Sequence, residues 1–287
     1  MTCIERFGWR QAVEPGIGRV VSSHGDYYRL VCNEAEGELI ARKKTSLFAF
    51  RRLEDRNCPP STRNEDRLTP ITGDFVRFRH NAQGESMITE VLPRFSHFER
   101  RDPTARRRAQ TLAVNFDTLF VMMSLNEDFS TERIQRYLAL AADMGEAEAV
   151  VAITKADLCR DGDDVRLREL SAAVAGAAPV FAVSSIDGTG LDRVAEYARP
   201  RRTLAFIGSS GVGKSTLVNR LAGEERQATQ EIQSWSGRGR HTTTTRELIM
   251  LPSGAMVIDT PGLREIGRVG EAEWLQAKGE STHRRRK

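Results

Sequence analysis

One eight-residue stretch constrains this chain more than any other. Gly208-Ser209-Ser210-Gly211-Val212-Gly213-Lys214-Ser215 follows the apolar run Leu204-Ala205-Phe206-Ile207 and opens a helix-forming segment, Thr216 to Leu221. A glycine-rich loop between strand and helix lets backbone N–H groups face a phosphate. The lysine then reaches the β- and γ-phosphates, and the serine hydroxyl takes Mg²⁺. At ordinary glycine usage of about 7%, a chance match somewhere in such a chain has odds of about one in a hundred. The stretch therefore demands a parallel strand–loop–helix unit, with Gly208 to Thr216 as the phosphate contacts.

What surrounds the loop stands in an unusual order. Thr154-Lys155-Ala156-Asp157 comes earlier, between the apolar run 149–153 and a polar loop. The Asp157 carboxylate suits the N1–H and N2–H₂ donor pair of guanine, which adenine lacks, and Lys155 would lie along the base plane. Thr154 stands where asparagine is commoner; asparagine would tie the base loop to the phosphate loop better. Val183-Ser184-Ser185-Ile186, after the next apolar run, suits the loop whose backbone meets the guanine oxygen. Asp259-Thr260-Pro261-Gly262 comes last. Asp259 would hold a Mg²⁺-bound water, and the Gly262 N–H would meet the γ-phosphate. Between them lies Gly237-Arg238-Gly239-Arg240-His241-Thr242-Thr243-Thr244-Thr245. Thr243 is expected to supply a second hydroxyl to Mg²⁺. His241 either orients water, reaches RNA or is an ordinary surface histidine. Leu263 stands where many GTPases carry a water-orienting glutamine, so intrinsic hydrolysis should be slow.

GTPases of ordinary chain order place the phosphate loop before the base loop. Here it follows, so the chain reads as circularly permuted. Such a site is built from loops at the carboxyl ends of adjacent parallel strands, and only their placement in space matters.

The 287 residues suit two folded units. Residues 15–98 hold five short β-type runs with period-two alternation and turn residues between them, which argues a small barrel. An OB-fold fits, although strand count alone leaves an SH3-like barrel open. From residue 111 the rhythm changes to nearly continuous apolar strands and intervening helices, the pattern of a mostly parallel sheet covered on both faces. The expected division is an extension over 1–14, an OB-fold over 15–98 and a basic linker over 99–110. An α/β P-loop GTPase domain over 111–270 and a polar tail over 271–287 complete it. The net charge is only +4, but Arg100, Arg101, Arg106, Arg107 and Arg108 form one cluster and Arg199, Arg201 and Arg202 another. Such clusters either neutralise nucleic-acid phosphates or are solvated linker charge. No run approaches the roughly 18 apolar residues of a membrane span. The four cysteines show neither disulfide nor metal spacing, so a reduced cytoplasm is expected.

Taken together, the barrel, the motif order and the run Asn115-Phe116-Asp117-Thr118 through Asn126 resemble the RsgA (YjeQ) family. Those are bacterial GTPases of small ribosomal subunit biogenesis, and permuted GTPases of large-subunit assembly fit the N-terminal barrel less well. The resemblance implies GTP and GDP as ligands, Mg²⁺ as cofactor, and the small subunit with its 16S rRNA as partner. It also implies the barrel on RNA, hydrolysis stimulated by the subunit, and catalytic roles for Lys214, Thr243 and His241. A monomer is expected. The family continues past the aspartate motif into a helical domain with a Cys/His zinc site. Here no cysteine follows Cys159 and 25 residues follow Gly262, so zinc is not expected in this chain.

Overall fold

The structure is a computed structural model that describes residues 1–44, 69–100, 110–124, 129–158, 163–174, 176–223 and 246–259. Its strands in chain order are β1 (Ile17–His24), β2 (Tyr27–Cys32), β3 (Glu38–Lys43), β4 (Phe75–Arg79), β5 (Ser86–Val91), β6 (His97–Arg100) and β7 (Gln110–Val114). Then come β8 (Thr118–Ser124), β9 (Glu148–Thr154), β10 (Val180–Val183), β11 (Thr203–Gly208), β12 (Glu247–Met250) and β13 (Met256–Asp259). The helices are α1 (Cys3–Arg6), α2 (Thr131–Ala141), α3 (Asp163–Ala173), α4 (Leu191–Tyr197) and α5 (Lys214–Ala222).

The α/β part is a sheet in the order β10-β9-β8-β11-β13-β12, parallel except for β12. Its central strands β8 and β11 are buried along their whole length because both faces are covered. Phe120, Met122, Val150, Ala152, Leu204 and Phe206 pack with Val194 of α4 and with Leu217 and Val218 of α5. The alternate residues Leu119, Val121, Val151, Ile153, Ala205 and Ile207 pack with Ile134 and Tyr137 of α2 and with Leu170 of α3. Each large apolar side chain buried this way stabilises the fold by about 1.5–3 kcal/mol. Helix α2 starts where Ser130 accepts a hydrogen bond from the Arg133 N–H at 3.2 Å. It buries Ile134, Tyr137 and Ala141 at spacings of three and four.

The permutation is visible in the connections. Strand β10 lies at one edge of the sheet, yet the chain returns through α4 to β11, beyond β9 and β8. A chain opened at that crossover and running from β11 through β13 to β10 would have the ordinary order. All the parallel strands still end on one side, and that side carries every loop of interest.

The N-terminal unit closes into a barrel in the order β1-β2-β3-β5-β4-β1. That circuit is the OB-like arrangement, which strand count left undecided. Its pairings are antiparallel except β3 with β5. Val20, Tyr28, Leu30, Ala41, Val76, Phe78 and Ile88 fill it. Helix α1 and Trp9 close one end over Ile17 and Phe75. The basic segment expected to be a linker joins two paired strands: β6 meets β7 antiparallel from His97↔Val114 to Arg100↔Gln110. Residues 101–109 themselves lie outside the described residues.

Barrel and α/β sheet are one continuous sheet, joined where β1 pairs with β12 at Ser22↔Glu247. Beside that joint Arg19 of β1 is 1% exposed. Its guanidinium donates to the carbonyls of Phe7 at 2.5 Å, Asn115 at 2.8 Å and Gly73 at 3.3 Å, and lies 4.8 Å over the Phe75 ring. Burial pushes its pKa down to about 9, against the pull of Asp117 and Asp74, which leaves it charged at neutral pH. Asn115 adopts φ 51° and bridges the same seam, donating to Gly73 O at 3.1 Å and accepting from Phe95 N at 3.1 Å. Asp117 accepts from Arg10 at 2.5 Å, Arg202 at 2.7 Å and the Thr203 N–H at 2.7 Å. The run 115–117 is thus structural mortar between the two units.

Candidate functional site

Strand β11 delivers the phosphate loop. Gly208 packs so closely on β8 that a Cβ there would lie 2.5 Å from the Met122 carbonyl, which excludes any other residue. Gly213 caps α5 at φ 102°, a left-handed conformation that side chains disfavour. Among the described residues, the amides of Ser210, Gly211 and Gly213 meet no protein acceptor. They form a concave set of donors at the head of α5, suited to an anion. The Lys214 ammonium lies inside the loop, donating to the carbonyls of Gly208 at 2.5 Å and Ser209 at 2.7 Å. Val212 is buried against the sheet, whereas Ser215 and Thr216 on the first turn of α5 are exposed.

Strand β9 delivers the second loop. It stops at Thr154, so Asp157 does not end the strand but sits in a one-turn 3₁₀ helix, Ala156–Leu158. Lys155 makes the corner with φ 61°. Thr154, 4% exposed, donates its hydroxyl to the Val212 carbonyl at 2.6 Å. Threonine therefore does join base loop to phosphate loop, a tie expected of asparagine. Its hydroxyl reaches because β9 and β11 flank β8 in register, and β8 is all that separates them.

Strand β10 delivers the third loop. The Ser184 hydroxyl is buried, donates to Asp157 Oδ1 at 2.6 Å and accepts from the N–H groups of Ile186 at 3.1 Å and Asp187 at 3.3 Å. The Ser184 N–H goes to the Thr189 carbonyl at 2.8 Å, so it is not the amide left for a ligand. Among the described residues, the Ser185 N–H meets no protein acceptor. One loop thus aims the Asp157 carboxylate and offers an amide beside it, an arrangement that sequence alone did not show.

Asp259 closes β13, parallel to β11 with Ala205↔Ile258 in register, so it arrives beside the phosphate loop. By residue type, the serine on the first turn of α5 and the aspartate that ends β13 carry the hard oxygen donors that Mg²⁺ takes. Thr243, His241 and Gly262 lie outside the described residues. No group of three or more His, Cys, Asp or Glu side chains is placed to hold a metal among the described residues. No described helix is long and apolar enough to cross a membrane.

Three loops at the carboxyl ends of β9, β10 and β11, in this chain order, define a circularly permuted P-loop GTPase. The sequence profile of the RsgA GTPase family matches residues 91–269, and the chain belongs to that family. It is 40% identical over 255 residues to the small ribosomal subunit biogenesis GTPase RsgA 2 of Lactiplantibacillus plantarum, covering 87% of this chain and 66% of that protein. It is 34% identical over 275 residues to the small ribosomal subunit biogenesis GTPase RsgA of Leptospira interrogans, covering 92% and 71%. The chain thus spans about two thirds of the length of these relatives. The crystal structure of YjeQ from Thermotoga maritima superimposes with a TM-score of 0.60 at 26% identity, covering 85% of this chain and 74% of that one. The structure of YloQ, a circularly permuted GTPase, shares the fold with a TM-score of 0.52 at 21% identity, covering 85% and 70%.

Proposed function

We propose that this chain binds and hydrolyses GTP and acts on the small ribosomal subunit while it is being assembled or checked. The observation that carries the reading is the linkage of the three loops: Thr154 ties the base loop to the phosphate loop, and Ser184 aims Asp157. In this reading Thr154 to Asp157 with Ser184 and Ser185 hold guanine, and Gly208 to Thr216 hold the phosphates. Asp157 accepts from N1–H and N2–H₂, and the Ser185 N–H donates to the exocyclic O6 of guanine. Lys214 turns from its loop carbonyls to the β- and γ-phosphates and stabilises charge that builds during transfer. Ser215, Thr243 and Asp259, the last through water, would hold Mg²⁺, which when bound neutralises phosphate charge. Gly262 meets the γ-phosphate, and His241 orients water. Names of the relatives support the small subunit as partner, and the OB-like barrel is the unit suited to its 16S rRNA. The chain works in the cytoplasm as a monomer, divided at 15–98, 99–110 and 111–270.

The test is GTP turnover with and without purified small subunits, on the wild type and on Asp157→Asn. Stimulation by the subunit is expected in the wild type. In the variant, preference should move from guanine to xanthine nucleotides by at least tenfold, because the amide now offers a donor where the carboxylate accepted. Unchanged GTP binding by Asp157→Asn would remove the base assignment. A second reading, a nucleotide-dependent RNA-binding switch with negligible turnover, is favoured by Leu263, which can neither donate nor accept a hydrogen bond to water. Absence of any stimulation would favour it.

A further inference from the structure

Strand β12 starts at Glu247, and the residue before it, Arg246, is held through backbone and side chain by groups from outside the α/β sheet. The Thr72 hydroxyl, from the barrel turn before β4, donates to the Arg246 carbonyl at 3.0 Å across 174 residues of sequence. The Arg246 guanidinium donates to the Thr111 carbonyl of β7 at 3.1 Å. Glu247 then pairs along one edge with Ser22 of β1 and along the other with Asp259, where β13 ends. Thr72 is buried, and its turn is tied on every side. Asp74 accepts from the Ile71 N–H and takes Arg94 through both carboxylate oxygens, each bond 2.8 Å long. The Gly73 carbonyl accepts from Asn115 at 3.1 Å and Arg19 at 3.3 Å, and the Gly73 N–H donates to Val20 O at 2.9 Å. Valine would fill the place of Thr72 with no polar atom to satisfy, so the hydroxyl is there for the carbonyl it meets.

We infer that Thr72 is a positioning residue for GTP hydrolysis: from the barrel it fixes the start of β12, and through β12 the groups expected at the γ-phosphate. The inference rests on the nucleotide reading above and assigns part of its control to the other folded unit. Thr243 stands three residues before Arg246, so even a fully extended chain keeps it within about 11 Å of that anchor. Asp259 is the ladder partner of Glu247, the very next residue. The place where Arg246 is held therefore bounds both. Guanine and the inner phosphates are served by the loops after β9, β10 and β11, so GDP makes little demand on the Thr72 link. The γ-phosphate does. The same link gives the barrel a way to act on turnover. A partner that displaces β1 or the turn before β4 displaces the start of β12 with it, because those two segments grip neighbouring residues.

The test measures kcat and KM for GTP, with and without purified small subunits, and the dissociation constant of GDP by calorimetry. It compares the wild type with Thr72→Val, Thr72→Ser and Arg246→Lys, with thermal melting as a check on folding. Thr72→Val should lower kcat about fivefold, as loss of one hydrogen bond implies, while GDP affinity stays within about twofold of wild type. Thr72→Ser keeps the donor and should restore kcat. Arg246→Lys withdraws the guanidinium from Thr111 and should lower kcat in the same direction with GDP affinity kept, so it decides the matter if Thr72→Val does not fold. A lower melting temperature with unchanged kcat overturns the inference, since the link would then serve stability alone. A GDP affinity that falls as far as kcat overturns it as well, because the link would then hold the whole nucleotide site rather than its γ-phosphate end. A wild type that turns over no GTP sinks the hydrolase reading itself, and the inference with it.

Discussion

Thr154 is 4% exposed, and its hydroxyl is within hydrogen-bonding distance of carbonyls from two neighbouring elements, Val212 at 2.6 Å and Met123 at 3.3 Å. Valine has nearly the same shape and no hydroxyl, so Thr154→Val isolates the polar link. It leaves the Val212 carbonyl inside the protein without its donor, a loss of about 1–3 kcal/mol. GDP affinity should fall at least about fivefold, and the melting temperature should drop by roughly 2–4 °C for each kcal/mol lost. Thr154→Ser keeps the donor and should bind GDP like the wild type. Calorimetry on the pair separates a tie between loops from simple packing. That Thr154, Asp157 and Ser184 belong to one site was legible in the sequence, because each lies at or just beyond the end of an apolar run. What each side chain touches was not, since a hydrogen bond from residue 184 to residue 157 leaves no mark at either position.

At the scale of elements, the sheet strands declared themselves through continuous apolar runs, as at Leu119 to Met123 and Leu204 to Ile207. Helix α2 did so through its spacing and its cap. Ser130→Ala should cost about 1 kcal/mol by leaving the Arg133 N–H unpaired, lowering the melting temperature by roughly 2–4 °C with nucleotide affinity unchanged. A drop in affinity would mean that α2 does more than pack. Three elements escaped notice for physical reasons. Helix α1 has only four residues, too few for a period to show. Strand β12 is four residues long, half-buried, and reads as an ordinary mixed segment. The β6–β7 hairpin is interrupted by arginines, whose charge dominates any reading of that stretch, while its pairing runs through backbone groups that sequence does not reveal.

For the whole molecule, the seam between barrel and α/β sheet is the least expected feature. Arg19 sits in a β-type run where an arginine would be assigned to the solvent face, yet it is the largest fully buried side chain among the described residues. Its guanidinium serves three carbonyls from three separate segments, so one residue registers α1, the turn before β4 and the turn before β8 against each other. Arg19→Met keeps the length and leaves those carbonyls unsatisfied. It should cost about 3–5 kcal/mol, seen as a lower urea midpoint with little change in slope. A midpoint within experimental scatter of the wild type would show that the seam holds without it. Joining through β1 and β12 carries a further consequence for handling the molecule. Cutting the polypeptide near residue 105 would separate two units that each look self-sufficient, but each half would keep a raw, hydrogen-bond-hungry border where its neighbour had been. Such borders recruit copies of themselves, so the severed halves are candidates for precipitation rather than for independent crystals.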